Sequence, residues 1–338
     1  MQAIIHDEYG TGPEDILRLA EVDKPTIGDG EILVRVHAAS VDRGTWHIMT
    51  GLPYPIRLAG FGLRKPKYLN PGRSLAGTVE AVGADVTGFS LGDDVYGIGD
   101  GSFAQYARAR ANKLAPKPVN LSFEQAAAVP ISALTALQAV RDHGRVHAGE
   151  RVLVVGASGG VGTFAVQIAK AFGAEVTGVC STNKVEMVRS IGADHVVDYT
   201  REDIASDGQR YDVVIDIGGN RSLTRLRRAL TPRGTLVIVG GEAGGRWLGG
   251  SDRGIRAILL SRFVGQRLTA FVNSENAGDL TVLTELIESG KLTPVIDRTY
   301  PLSEVPAAIR RMQDGHAQGK LVIQVAATNQ TSPSRATG

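Results

Sequence analysis

One short glycine-rich turn carries the clearest chemical meaning in this sequence. An apolar run, RVLVV, leads into the turn, and an amphipathic segment, TFAVQIAK, follows it. A strand, a glycine turn and a helix in this order bring free N–H groups and the positive end of a helix dipole to a phosphate group. The turn therefore predicts dinucleotide binding. Its residues are Ala157, Ser158, Gly159, Gly160, Val161 and Gly162, with alanine where the usual pattern has its first glycine.

The residues after the next predicted strand, EVTGVC, indicate which dinucleotide is bound. An acidic residue at the end of that strand would hold the ribose 2′-hydroxyl of NAD. The sequence has no acid there; it continues instead with Ser181, Thr182, Asn183 and Lys184. Because hydroxyl, amide and ammonium groups donate hydrogen bonds to a 2′-phosphate, the sequence favours NADP(H). The alternative is that Lys184 simply begins an exposed helix.

Composition excludes several functional classes. Lys and Arg (37) against Asp and Glu (35) leave a net charge of +2, too little for a surface that neutralises nucleic-acid phosphates. A single cysteine, Cys180, excludes an intramolecular disulfide and a thiolate-built zinc site. No apolar run approaches the roughly 20 residues that cross a bilayer, and no export signal is seen. We expect a cytoplasmic protein with no membrane or nucleic-acid partner.

The predicted elements that position these residues fall into two patterns. Residues 1–124 contain short strands separated by turns, whereas helices and buried strands alternate over 125–291. The second pattern is typical of a doubly wound parallel sheet. After residue 291 short strands return, and we expect 292–326 to complete the first domain. The polar segment 327–338 is predicted to be disordered.

Five sequence segments share their motifs with a known family. They are GASGGVG with VQIAK, LNPGRSLAGTVEAVG, GDDVYG, AAAVPISALTAL and GKLVIQV. Together they resemble the medium-chain dehydrogenase/reductase superfamily, in particular its zinc-free quinone oxidoreductase and enone reductase branch. The resemblance covers nearly the whole chain. It implies an α/β fold with a Rossmann domain, a mostly β GroES-like substrate domain built from both chain ends, a cleft between them, and a homodimer.

The resemblance also identifies positions that hold catalytic zinc in other members of the superfamily. The matching residues here are Asp42, Arg73 and Ile131. Arginine is a cation and isoleucine has no donor atom, so we expect no catalytic metal. Asp42 and Arg73 are instead expected to form an ion pair at this place.

Without a metal, hydride transfer depends on positioning and on a donor near the acceptor oxygen. Relatives carry an Asn and a Tyr where this chain has Asp42 and His47. His47 is the candidate proton donor, and the alternative is a surface or packing histidine. The resemblance implies further cofactor contacts, each with a packing or solvated alternative, from Thr135, Tyr199, Gly240, Gly241 and Lys320.

These observations predict an NADPH-dependent, zinc-independent reductase of quinones or α,β-unsaturated carbonyls. Hydride passes from the nicotinamide to the acceptor, and His47 or water supplies a proton. An alcohol dehydrogenase of the same superfamily is one alternative, although the Lewis acid that would polarise the alcohol is missing. A redox sensor that binds NADPH without turnover is another, because no unmistakable acid or base is evident.

Overall fold

A computed structural model describes residues 1–204, 208–219, 221–240 and 245–325. The strands are β1 (Gln2–Ile5), β2 (Arg18–Glu21), β3 (Glu31–Val41), β4 (Ser74–Val82), β5 (Asp94–Ile98), β6 (Tyr106–Arg110), β7 (Leu114–Pro116), β8 (Arg151–Val155), β9 (Glu175–Cys180), β10 (His195–Asp198), β11 (Tyr211–Asp216), β12 (Leu230–Ile238), β13 (Arg267–Ala270), β14 (Ile296–Pro301) and β15 (Lys320–Gln324). The α-helices are α1 (Pro13–Ile16), α2 (Arg43–Thr50), α3 (Phe123–Ala127), α4 (Pro130–Gln138), α5 (Gly160–Ala171), α6 (Val185–Ser190), α7 (Leu223–Arg228), α8 (Ser251–Ser261), α9 (Ala277–Glu288) and α10 (Val305–Gln313).

The two ends of the chain meet in one sheet of seven strands, counted over the described residues. Its order is β14-β15-β3-β4-β5-β7, and β6 pairs with another part of β3. β15 runs antiparallel to β3, with Leu321 opposite Val41 and Val322 opposite Ser40. This pairing brings Lys320, at the start of β15, next to the chain that enters α2.

The middle of the chain forms a parallel sheet of six strands within the described ranges. Its order is β10-β9-β8-β11-β12-β13, and a described helix follows each of β8, β9, β11 and β12. β8 is buried from Val152 to Val155, because a continuous apolar strand is covered by helices on both faces. The predicted α/β class with a doubly wound parallel sheet is confirmed.

One hydrophobic core spans the boundary between the two sheets. It contains Val152 and Val154 of β8 and Phe164 of α5, and it continues to Ala76 and Tyr96 of the seven-stranded sheet. The two parts of the molecule therefore pack against each other through buried side chains. The domain boundaries proposed from the sequence, near residues 124 and 291, stay a prediction.

The sequence predicts one helix around Phe123 to His143, before the parallel sheet, but this helix is not continuous. It is divided into α3, α4 and a π-helical turn, Ala139–Gly144. Pro130 begins α4, where its missing N–H costs nothing. Gly241 and the predicted tail 327–338 lie outside the described residues.

Candidate active site

The glycine-rich turn forms a backbone cradle at the carboxyl end of β8. Gly156 has φ +86°, a conformation that favours glycine. A Cβ at Gly162 would overlap the carbonyl oxygen of Gly156. Helix α5 begins after Gly159, and no described side chain caps it. Uncapped N–H groups at a helix N-terminus, with no room for a side chain, fit a pyrophosphate.

The strand order opens a crevice beside this cradle. β8 lies between β9 and β11. The chain places β9 and β10 on one side of β8, and β11, β12 and β13 on the other. Such a switch point is where open α/β sheets bind ligands. The turn after β11 packs closely here, since a Cβ at Gly156 would lie 3.1 Å from the amide nitrogen of Gly218. Gly240 follows β12, and a Cβ there would overlap the carbonyl oxygen of Ile217.

The residues predicted at the adenosine ribose lie together after β9 and β10, but protein groups already engage several of them. Ser181 Oγ donates to Asn183 Oδ1 at 2.8 Å, and Thr182 Oγ1 donates to Asp198 Oδ2. Lys184 Nζ donates to the carbonyl oxygens of Gly315 (3.2 Å) and Ala317 (2.9 Å). The ammonium of Lys184 thereby joins α6 to the chain that follows α10.

Tyr199 follows β10 directly. Its amide nitrogen donates to the carbonyl oxygen of Cys180 at 3.1 Å, and its side chain is 54% exposed. The backbone bond ties the end of β10 to the end of β9. Tyr199 is therefore at the same edge of the parallel sheet as Ser181 and Thr182.

Lys320 is a buried lysine that connects the seven-stranded sheet to helix α4. Its side chain is 2% exposed, and Nζ donates to the carbonyl oxygen of Val41 at 2.8 Å and to Ser132 Oγ at 3.1 Å. Burial lowers the pKa of Lys320, and the negative charge of Asp42 opposes that shift. A Cβ at Gly160 would lie 3.1 Å from Lys320 Cδ, so the lysine passes beside the first turn of α5.

A backbone contact reinforces the link made by Lys320. The amide nitrogen of Gly319 donates to the carbonyl oxygen of Ser158 at 2.9 Å. Thr135, predicted near the nicotinamide, lies on α4 and donates its hydroxyl to the carbonyl oxygen of Ile131 at 2.7 Å. The glycine turn, α4 and the start of β15 are thus brought together.

The predicted ion pair between Asp42 and Arg73 is wrong. Asp42 is the N-cap of α2: Oδ1 accepts from the Thr45 amide at 3.3 Å, and Oδ2 accepts from Ser74 Oγ at 3.2 Å. Arg73 donates to Glu275 Oε2 at 2.9 Å and lies 3.4 Å from Asp100. The Asp42 carboxylate already accepts hydrogen bonds from the N-terminus of a helix and from a hydroxyl. Arg73 pairs with two other carboxylates instead.

Asp42, Arg73 and Ile131 offer no set of zinc donors. Across the described ranges, no three His, Cys, Asp or Glu side chains are grouped so that they could hold a metal ion. Arg73 lies at the start of β4 and Asp42 directly after β3. These positions therefore present a carboxylate that caps a helix and a guanidinium that pairs with acids.

His47 lies on α2 and is half-buried. Its Nδ1 is 2.6 Å from the carbonyl oxygen of Leu52, which accepts hydrogen bonds only. Nδ1 therefore carries a proton and donates, and Nε2 gains a proton only when the ring becomes an imidazolium. The catalytic role of His47 stays a prediction.

Two aromatic residues to which the sequence analysis assigned no role lie where the segment 52–71 meets the chain before α8. The rings of Tyr54 and Trp247 are 5.2 Å apart, and the amide of Tyr54 donates to the carbonyl oxygen of Arg246 at 2.9 Å. The guanidinium of Arg57 lies over the rings of Tyr9 and Tyr54. The signal in the sequence was the pair of aromatic residues, one in a segment rich in proline and the other in a segment rich in glycine.

A buried ion pair at the end of β11 was also missed. Asp216 is fully buried and pairs with Arg253 of α8. Burial raises the pKa of Asp216, and the charge of Arg253 opposes the shift. The acid ends an apolar strand, which is a visible signal, but nothing in the sequence points to Arg253 as its partner.

Comparisons with known proteins identify the family of this chain. Residues 28–119 match the family model described as "Alcohol dehydrogenase GroES-like domain", and residues 191–323 match one described as "Zinc-binding dehydrogenase". The first match agrees with the predicted GroES-like part of the fold.

Individual proteins give the same result over almost the full chain. The mouse (Mus musculus) mitochondrial NAD(P)H oxidoreductase RTN4IP1 is 34% identical over 96% of this chain and 89% of its own. The 2-methylene-furan-3-one reductase of Solanum lycopersicum is 32% identical over 96% of this chain and 79% of its own. A crystal structure of Escherichia coli quinone oxidoreductase complexed with NADPH matches with a TM-score of 0.80 and 26% identity, covering 96% of this chain and all (100%) of that one. This chain accordingly belongs to the medium-chain dehydrogenase/reductase superfamily, in its quinone oxidoreductase branch.

Proposed function

We propose that this oxidoreductase uses NADPH to reduce quinones or α,β-unsaturated carbonyl compounds and works without a catalytic zinc. One observation carries the proposal: the uncapped glycine cradle is bonded through Ser158 and Gly319 to the sheet that also bears Asp42 and Arg73. The proposed dinucleotide site therefore lies next to side chains that cannot serve as a set of zinc ligands. The similarity to a quinone reductase solved with NADPH and to an enone reductase supports the same assignment.

The cofactor contacts follow from the carboxyl edge of the parallel sheet. NADPH supplies the hydride when it is bound. The glycine turn holds the pyrophosphate through the first N–H groups of α5. The nicotinamide side is formed by Thr135, Gly240 and Lys320, together with Gly241, which lies outside the described residues. The adenosine side is formed by Ser181, Thr182, Lys184 and Tyr199.

The proton comes from His47 or from water. The carbonyl oxygen of Leu52 fixes Nδ1–H, so a protonated ring presents Nε2–H as its second donor. A donor held near the acceptor oxygen stabilises the negative charge that develops there during hydride transfer. In this proposal α2 and the carbonyl of Leu52 orient the donor, and Asp42 and Ser74 fix the first turn of α2.

An acceptor panel tests the proposal. Purified protein is assayed for oxidation of NADPH with quinones, enones and simple aldehydes, and its bound metal is counted. We expect acceleration with quinones or enones in protein that holds no stoichiometric zinc. Activity only with alcohols or aldehydes and only with zinc would favour the alcohol dehydrogenase alternative. Tight NADPH binding without acceleration by any acceptor would favour the sensor alternative.

The expected homodimer has a suitable surface at β13. This strand is an edge of the parallel sheet, and α8 packs on it through Gly254 and Ala257. The outer face of α8 exposes Ile255 (55%), Leu259 (52%) and nearby Phe263 (84%). A strand edge with no partner among the described strands, beside an apolar face, suits a two-fold symmetric partner. Sedimentation that shows only monomer for the wild-type protein contradicts this.

A cytoplasmic location remains part of the proposal. The thiol of Cys180 is buried, and burial raises its pKa to about 11, which suits a reducing compartment without requiring one. No described helix is long and apolar enough to cross a membrane. The mouse relative is named as mitochondrial, so fractionation of the native cells against organelle markers is the relevant measurement.

A further inference from the structure

We propose that Arg221 is the residue that distinguishes NADPH from NADH, by binding the 2′-phosphate on the adenosine ribose. The inference rests on the proposed NADPH preference and deepens it. Arg221 was not among the residues that the sequence suggested for this role. Its assignment comes from its place in the crevice, its burial and the absence of a hydrogen bond from it to any described residue.

Arg221 lies where the adenosine half of a dinucleotide would be bound. It follows the turn after β11, in which Gly218 packs on Gly156 of the glycine cradle. The chain after β10 reaches the same place: Ile204 is buried in one core with Leu153 and Val179 of β8 and β9. Arg221 and the segment 199–204 therefore meet over the carboxyl ends of β8, β9 and β11. This is the crevice at which the strand order reverses.

The guanidinium of Arg221 is mostly buried but poorly paired. Its side chain is 14% exposed, and its nearest carboxylate oxygen, on Asp203, is 3.9 Å away, beyond hydrogen-bond distance. No hydrogen bond from Arg221 is found to any described residue. Burial lowers the pKa of Arg221 and the nearby charge of Arg225 acts in the same direction, while the charges of Asp203 and Asp216 oppose the shift. A buried cation in this state costs free energy that an anionic ligand would recover.

The other cations around this crevice are committed or exposed. Lys184 donates two hydrogen bonds, to the carbonyl oxygens of Gly315 and Ala317. Arg225 makes two hydrogen bonds of 3.0 Å to Asp203. Arg201 is 74% exposed and lies 3.5 Å from Asp198. Arg253 is equally buried, but it is ion-paired with Asp216. Among the described residues, Arg221 is therefore the buried cation near this edge that makes no hydrogen bond.

A phosphate monoester matches the chemistry of Arg221. A guanidinium offers five N–H donors in a planar fork that binds two phosphate oxygens at once. The corresponding hydroxyl of NADH carries no charge and one donor. Arg221 should therefore contribute strongly to NADPH binding and little to NADH binding.

The test compares two arginines that share one carboxylate. Dissociation constants for NADPH, NADH, 2′,5′-ADP and 5′-ADP are measured by calorimetry on the full-length wild-type protein, Arg221→Ala, Arg221→Lys and Arg225→Ala. We expect Arg221→Ala to weaken NADPH and 2′,5′-ADP by about 10- to 100-fold, as loss of charged hydrogen bonds implies. NADH and 5′-ADP should change by less than about threefold. Arg221→Lys should lose less, and Arg225→Ala should keep the wild-type ratio of NADPH to NADH affinity.

Lys184→Ala gives a second comparison. The inference predicts a smaller loss of NADPH affinity for Lys184→Ala than for Arg221→Ala, because the lysine is already bonded to carbonyl groups. Melting temperatures show whether each variant is folded, and if Arg221→Ala is not, Arg221→Lys and Arg221→Gln carry the measurement. Both should favour NADH relative to wild type.

Three results would overturn the inference, and they separate its failure from that of the proposed function. Equal weakening of NADPH and NADH in folded Arg221 variants would mean a structural role. An unchanged NADPH preference in those variants would remove Arg221 while leaving the NADPH-dependent function standing. A wild-type protein that binds NADH more tightly than NADPH would end both.

Discussion

The proposed cofactor side and the proposed substrate side of the cleft are held by different kinds of contact. On the cofactor side, backbone atoms leave no space for a side chain at Gly162, and the positive φ of Gly156 favours glycine. On the substrate side, side-chain hydrogen bonds and ion pairs hold Asp42, Arg73 and Glu275 in place. The first arrangement can be predicted from the local sequence, whereas the second depends on residues far apart in the chain. Substitutions on the two sides should therefore differ in severity.

The largest effect is expected for Gly162→Val on the cofactor side. Its side chain would overlap the carbonyl oxygen of Gly156, so the glycine turn must open. We expect loss of about 1–3 kcal/mol of unfolding free energy and loss of measurable NADPH binding. Denaturant unfolding and NADPH titration check this. Gly30→Ala is the control, since a Cβ there meets nothing within 4 Å; near-normal cofactor binding by Gly162→Val would contradict the cradle.

The next effect concerns His47 on the substrate side. His47→Gln removes the proposed proton donor, while α2 and its Asp42 cap remain. We expect kcat to fall by about 10- to 100-fold, the lower end of general acid catalysis because water can replace the imidazole. The NADPH dissociation constant should stay the same. His195→Gln is the control, because His195 is more than half exposed and pairs with Glu175; equal kcat values for the His47 variant and wild type would leave water as the proton source.

A smaller change is expected when the charge network beside the cleft is broken. Glu275 Oε2 lies 2.9 Å from Arg73 and 2.6 Å from Lys113, so Glu275→Gln leaves two cations facing an amide. The group is partly exposed (23%), and we expect about 1–2 kcal/mol of lost stability. Glu14→Gln, which breaks the more exposed pair with Arg310, should cost less than about 1 kcal/mol. Equal losses in the two variants would mean that the network has no special role.

The smallest expected effect is a pH dependence from Lys320. Its folded-state pKa is lowered from 10.5 by burial, so the unfolded chain binds more protons between the folded pKa and 10.5. Stability must then rise with pH across that window. The difference in unfolding free energy between wild type and Lys320→Met should increase toward pH 10.5. A flat or falling difference would contradict the burial of a charged Lys320.

Sequence reasoning succeeded where a short segment determines its own geometry. The glycine turn, the parallel strands and the pairing of the last strand with the first domain could be predicted from local patterns of apolar residues and glycine. The long helix before the parallel sheet was predicted as one element, although Pro130 marks a new start within it. A rule about proline, applied strictly, would have found that break.

Reasoning from sequence failed where polar side chains choose partners from distant segments. Asp42 and Arg73 were paired because they replace two metal ligands, yet Arg73 meets Glu275 from beyond β13. Nothing in the sequence indicated that Lys184 donates to the carbonyl groups of Gly315 and Ala317, and its contact with the 2′-phosphate stays a prediction. Neither contact has a local signal, because both join residues more than a hundred positions apart.

The most direct test of the account is the steady-state rate of NADPH oxidation by a quinone after dialysis against a zinc chelator, with residual zinc counted in the same sample. We predict that turnover continues in zinc-depleted protein and is faster with NADPH than with NADH at limiting cofactor. Turnover that disappears with the zinc and returns when zinc is added would contradict the account.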